Sequence, residues 1–176
     1  MIKYHIYAIG NMKRSAESEI FSKYSKRISN IQLFEYVSHL PEGNKKTKDE
    51  SEKLLSMIKN NGKRILLDQV GKCFSSDEFS GILSNWKNTG FNKINFIIGG
   101  ADGVDQKLKD NVDLIISFSK MTFPHMLARV ILLEQIYRAE AIIAKHRHGP
   151  ISKVKLHFNA SSTKFSDYAQ SSPYSS

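Results

Sequence analysis

Short β-rich runs that stop at glycine or at polar turns, with helix-spaced segments between them, constrain this chain more than any other feature. "KYHIYAIG" alternates and is rich in β-formers, so it reads as a strand ending at Gly10. From Ser15 to Ile28, one helical face carries Ile20, Phe21, Tyr24 and Ile28, while Lys23, Lys26 and Arg27 stay in water. "IQLFEYV" is a second strand, "SHLPEGNKKTKDE" an exposed loop, and Lys48 to Lys59 a polar helix. "RILLD" (Arg64 to Asp68) is a short buried strand, and "QVGKCFSS" after it a turn. Ser76 stands where an N-cap would open a helix bearing Phe79, Ile82, Leu83 and Trp86. "KINFII" and "VDLIISFS" are further strands, and Pro124 opens a long helix to about His146. The alternation predicts an α/β fold, a mainly parallel sheet flanked by helices.

Two segments carry chemistry. In "NFIIGGADGVD" an apolar run stops at two glycines and a third follows. Glycine admits close backbone approach and positive φ. Ligands of open α/β sheets sit beyond the carboxyl ends of strands, where Gly99, Gly100 and Gly103 fall. The pattern G-G-x-x-G matches neither the dinucleotide fingerprint nor the phosphate loop, and no lysine followed by Ser or Thr comes after it. Nucleotide hydrolysis is therefore disfavoured, and on the motif alone a plain strand-to-helix turn is the simpler reading.

The second segment is "SFSKMTFPHMLARVILLEQIYRA". Ser117, Ser119 and Thr122 alternate with Phe118, Met121 and Phe123, which sets polar groups beside apolar walls as a purine requires. The same composition would serve to pack two phenylalanines into a core. The helix that follows is apolar nearly all round, as expected of one buried on more than one side, a partner subunit included. Glu134 and Arg138 stand at i,i+4 and can pair on its surface, with Arg129 toward the opposite side.

Composition narrows the remaining choices. A chain of 176 residues is the size of one ordinary domain, and a formal charge of +9 favours an acidic partner, nucleic acid before anionic membrane. Cys73 is the one cysteine, so no disulfide framework is expected and a reducing cytoplasm is the expected compartment. The N-terminus lacks the pattern of a signal peptide, and Arg129, Glu134 and Arg138 interrupt the most apolar stretch, so no membrane span is expected. His5 and His39 read as structural or exposed, His125 sits at a helix start, and His146 and His148 flank Arg147 in a basic patch. None has a carboxylate or cysteine at ligand spacing, and no metal is expected. Beyond about residue 146 the chain is serine-rich and loses its periodicity. One domain over residues 1–146, then a flexible tail over 147–176, is the expected organisation.

Taken together, "AIG", "RILLD", "FIIGGADG" and the segment from Ser117 to Ala139 resemble, in order and spacing, the bacterial ribosomal RNA large-subunit methyltransferase H family, a branch of the SPOUT methyltransferases. The resemblance implies a SPOUT-type α/β fold with a C-terminal trefoil knot, which no periodicity argument would produce. It further implies a cytoplasmic homodimer that binds S-adenosylmethionine in the knot and methylates N3 of a pseudouridine in 23S rRNA of assembled ribosomes. Carried over by position, the cofactor contacts are Leu67, Gly99, Phe118, Ser119, Lys120, Met121, Thr122 and Phe123, with Gly100 and Gly103 completing a turn that clears room for the donor. On that basis Gly99→Val is expected to remove cofactor binding and leave secondary structure largely intact. The donor's methyl is already activated, so alignment dominates. The N3 proton must leave, and Arg129 and His125 are the catalytic candidates.

One departure stands out. The family ends its last helix with H-P-Y-H-[KR]; this chain reads "HRHGPISK". His146 matches the first position, and His146, Arg147 and His148 are the candidate substrate contacts, but the Pro, Tyr and second His are out of place. His148, Tyr168 or Tyr174 would have to substitute. This leaves room for a non-catalytic dimer that binds RNA or ribosomes, and for a methyltransferase of tRNA. A dinucleotide-dependent dehydrogenase is a more distant alternative.

Overall fold

β1 (Lys3–Ile9) and β4 (Lys93–Ile98) lie side by side within a five-stranded sheet and are nearly solidly apolar, as parallel strands covered on both faces must be. The computed structural model describes residues 2–58, 61–147, 156–159 and 164–167. It divides the chain into two units, Met1–Ala144 and Lys145–Ser176.

The first unit alternates strand and helix: β1, α1 (Ala16–Ser25), β2 (Ile31–Tyr36), α2 (Asn44–Met57), β3 (Lys63–Cys73), α3 (Ser76–Asn88), β4, α4 (Gln106–Lys109), β5 (Leu114–Ser117) and α5 (His125–Arg147). All sheet pairings are parallel, in the order β2-β1-β4-β3-β5. Side-chain alternation along β1 and β4 splits the core in two. Tyr4, Ile6, Ala8, Phe96 and Ile98 pack with α3 and α5, whereas Tyr7, Ile9 and Ile97 pack with Leu54 of α2 and Leu108 of α4.

Local chemistry sets the helix starts. Ser15 caps α1 through a reciprocal bond with Ser18, and Ser75 caps α3 through one with Glu78. The cap of α3 is thus one residue before the expected Ser76, because Glu78 stands three residues after Ser75. α2 begins at Asn44, earlier than the expected Lys48, after Gly43 with φ of 126°. The four-residue α4 was not foreseen, being too short to show a period; Asp105 caps it.

β3 departs furthest from expectation. It was to end at Asp68 with a turn after it. Instead its register shifts between Leu67 and Lys72, and it pairs with β5 again, Lys72 against Ile116 and Cys73 against Ser117. Gly71 makes this possible: a Cβ there would lie 2.4 Å from the carbonyl carbon of Ile116.

α5 buries Leu132, Leu133, Ile136 and Ala139 completely, yet leaves Leu127 and Tyr137 partly exposed. No helix among the described residues is long and apolar enough to cross a membrane. In the second unit, β6 (Leu156–Asn159) and β7 (Lys164–Asp167) pair antiparallel, Phe158 against Phe165. The expectation for this stretch was a flexible tail, with no hairpin in it.

Candidate functional site

A parallel sheet gathers the loops after its strands at one edge. The segments following β4 and β5, together with the bulge of β3, border a cavity of about 720 Å³ there. Of the residues expected to contact a cofactor, Leu67, Gly99, Gly100, Gly103, Phe118, Met121, Thr122 and Phe123 line it, and so does His125. Ser119 and Lys120 do not. The Ser119 hydroxyl is occupied within the loop, accepting from the Met121 N–H at 2.9 Å, while the Ser117 hydroxyl donates to the Ser119 carbonyl at 2.6 Å. Lys120 is exposed.

The glycine turn proves to be shaped by the protein itself. A Cβ on Gly99 would lie 2.7 Å from Val104 Cγ1 and 2.9 Å from the Gly103 carbonyl oxygen. One on Gly100 would meet Glu50 Oε2 at 2.8 Å, whereas Gly103 has open space but a φ of +77°. The Gly103 N–H closes the turn onto the Gly100 carbonyl at 3.1 Å. The space a Cβ would need at Gly99 and Gly100 is taken by Val104, the turn's own backbone and a carboxyl from α2, and all three glycines line the cavity. Burial raises the pKa of that Glu50 carboxyl, Lys46 opposes the shift, and Asp102 and Asp49 add to it.

Asp68, Gln69, Val70 and Lys109 also line the cavity. None was singled out from sequence, since the "QVGK" stretch read as a turn and α4 left no periodic trace. Asp68 and Lys109 form an ion pair at 2.8 Å. Burial works against the ionised Asp68, but hydrogen bonds from Lys109 and the Val70 N–H outweigh it and hold the carboxylate below its ordinary value.

His125 opens α5 beside Gly10, whose Cβ position would fall 3.1 Å from His125 Nε2. Burial first, then the charge of Arg129, lowers the pKa of this imidazole and favours its neutral form. Arg129 itself is fully buried. Its guanidinium donates to Glu35 Oε1 at 2.5 Å and to the carbonyls of Ile9 and Gly10 at 2.7 and 3.0 Å. It thereby clasps the end of β1 to α5 and does not line the cavity, while its Nε is buried without a partner. The Glu134–Arg138 pair forms on α5 as its spacing indicated, with Arg138 Nε 3.0 Å from Glu134 Oε1. His146 is exposed in the last turn of α5 and Arg147 ends that helix; His148 lies outside the described residues.

Residues 2–148 match the model of a family described as predicted SPOUT methyltransferases. The chain belongs to the SPOUT methyltransferase family. Relatives within the reach of that match carry the name ribosomal RNA large subunit methyltransferase H. The one from Ruminiclostridium cellulolyticum is 40% identical over 152 residues, covering 81% of this chain and 96% of that protein. The one from Novosphingobium aromaticivorans is 36% identical over 142 residues, 81% of this chain and 94% of that protein. The one from Prochlorococcus marinus is 39% identical over 140 residues, 80% and 90% respectively. Among solved structures, a probable methylase family protein from Haemophilus influenzae Rd KW20 superimposes with a TM-score of 0.54 at 9% identity, over 85% of this chain and 72% of that one. That is a likeness of fold. For this SPOUT chain, then, the resemblance carried by four short motifs extends over nearly the whole first unit.

Proposed function

We propose that this chain transfers the methyl group of S-adenosylmethionine to N3 of a pseudouridine in 23S rRNA of assembled ribosomes, as a homodimer in the cytoplasm. The observation that carries this is the cavity at the carboxyl edge of the sheet, bordered by the family's motifs in a chain 40% identical to a protein named ribosomal RNA large subunit methyltransferase H.

The residues present fit the donor. A volume of 720 Å³ lies within the range of about 300–1,000 Å³ usual for small-molecule sites. Leu67, Phe118, Met121 and Phe123 supply apolar walls for a purine, and the backbone of the two bordering segments supplies hydrogen-bonding groups. When bound, the donor supplies a sulfonium-activated methyl, so the chain's own work is alignment and handling of the N3 proton.

His125 is the candidate acceptor for that proton. It lines the cavity, and its lowered pKa keeps a ring nitrogen free at neutral pH. Arg129 acts on it through its charge, its two terminal guanidinium nitrogens being held by Glu35 and the end of β1. Its charge also favours an anion forming nearby. The positive balance of the chain, with His146, Arg147 and His148, suits rRNA phosphates. The partly exposed Leu127 and Tyr137 on α5 suit burial against a second copy. Residues 1–146 would form the methyltransferase domain with its trefoil knot, and 147–176 a peripheral tail.

The test is transfer of labelled methyl from S-adenosylmethionine to ribosomes that lack this modification, with free tRNA and free 23S rRNA alongside. Label confined to 23S rRNA of assembled ribosomes is expected; label on tRNA would redirect the substrate. The altered ending "HRHGPISK" favours one second reading, a non-catalytic dimer that binds RNA or ribosomes and retains the cofactor. Folded protein that binds S-adenosylmethionine and labels no RNA would establish it.

A further inference from the structure

We propose that Asp68 and Lys109 together anchor the zwitterionic amino-acid end of the methyl donor, a role that rests on the cofactor assignment above. Lys109 would take the ligand carboxylate and Asp68 the ligand ammonium, so that four alternating charges close a ring.

Both side chains line the cavity and lie 2.8 Å apart, with 24% of Lys109 and 11% of Asp68 exposed. They are enclosed enough for their charges to matter, yet a ligand can reach them. Asp68 follows Leu67 where β3 slips its register against β5, and Lys109 ends α4 just after the glycine turn. The pair therefore joins the two elements whose backbones shape this side of the cavity. Asp68 Oδ1 accepts from the Val70 N–H at 3.1 Å and Oδ2 from Lys109, which leaves lone pairs on both oxygens. An ammonium has three donors, and among the described residues the one ion-pair partner of Lys109 is Asp68.

Taking an ion pair out of water is costly, and apolar side chains of similar size commonly brace two elements as well. The purine end of the donor has no use for such a pair beside the walls formed by Phe118 and Met121. A group with an ammonium and a carboxylate on one carbon does, because each charge meets its opposite in charge-assisted hydrogen bonds.

The test compares two ligands by calorimetry on the full chain. S-adenosylhomocysteine carries the amino-acid end; methylthioadenosine has the same nucleoside and thioether without it. Wild type should prefer S-adenosylhomocysteine by tenfold or more. Lys109→Met and Asp68→Asn should each remove most of that preference while binding methylthioadenosine as wild type does, which also shows that they are folded. Lys109→Arg should restore part of it. Variants that keep the full preference would overturn the proposal, and so would variants that lose both ligands in proportion, since that describes a structural brace. Wild type that binds neither ligand would instead remove the cofactor assignment.

Discussion

The turn after β4 and the loop after β5 border the same cavity and are held in place differently. The turn from Gly99 to Gly103 is closed by its own backbone, and Val104 and Glu50 fill the volume that side chains would need. The loop from Phe118 to Pro124 is held by two serine hydroxyls and leaves Met121 74% and Phe123 39% exposed. Substitutions in the turn should therefore be felt first by the fold, and those in the loop by whatever occupies the cavity.

The comparison can be broken most forcefully at Gly99. Gly99→Val should destabilise the protein by about 3 kcal/mol or more, read as a drop in the urea midpoint, because backbone and Val104 stand where the side chain must go. Gly103→Ala, with open space but positive φ, should cost only about 1 kcal/mol. Equal stability in Gly99→Val and wild type would show that the turn answers to the ligand after all.

Next in size is His125, at the far end of the loop. His125→Gln should slow methyl transfer by about 10²-fold with little change in cofactor affinity. Its pKa lies below the ordinary 6.5, so the neutral ring persists as pH falls to that value, and the wild-type rate should decline only below it. An acid limb above pH 6.5, or one that survives in His125→Gln, would exclude this imidazole as the proton acceptor.

Smaller effects sharpen the contrast. Met121→Ala should leave stability within about 0.5 kcal/mol while weakening S-adenosylhomocysteine by about fivefold in calorimetry, since an exposed side chain adds little to the fold. Lys120→Ala should change neither quantity measurably, given an exposed side chain outside the cavity lining. A large loss of affinity in Lys120→Ala would mean that the loop rearranges around its ligand.

Much of the scaffold was legible in the residues. "KYHIYAI" and "KINFII" form their strands because an unbroken β-rich run admits little else, and the glycine turn falls where that run ends. Most of the residues that the family motifs mark come together around one cavity. Legibility failed where a signal was short or nonlocal. "QVGK" has the composition of a turn and becomes strand because β5 lies close enough for Gly71 to pass its backbone. The complete burial of Arg129 was not legible either, since a helical pattern says which face a residue shares but not what waits opposite it.

By itself, then, the sequence determined the alternation of elements, the place of the glycine turn, the surface pair on α5 and the family, because each rests on neighbours within a turn or two of chain or on motifs in fixed order. Tertiary structure alone decided that Arg129 is spent on Glu35, 94 residues away, that Glu50 backs the glycine turn, and that Asp68 meets Lys109 at the cavity wall. Those contacts depend on strand order and register, which bring distant side chains within bonding distance and leave no trace in local spacing.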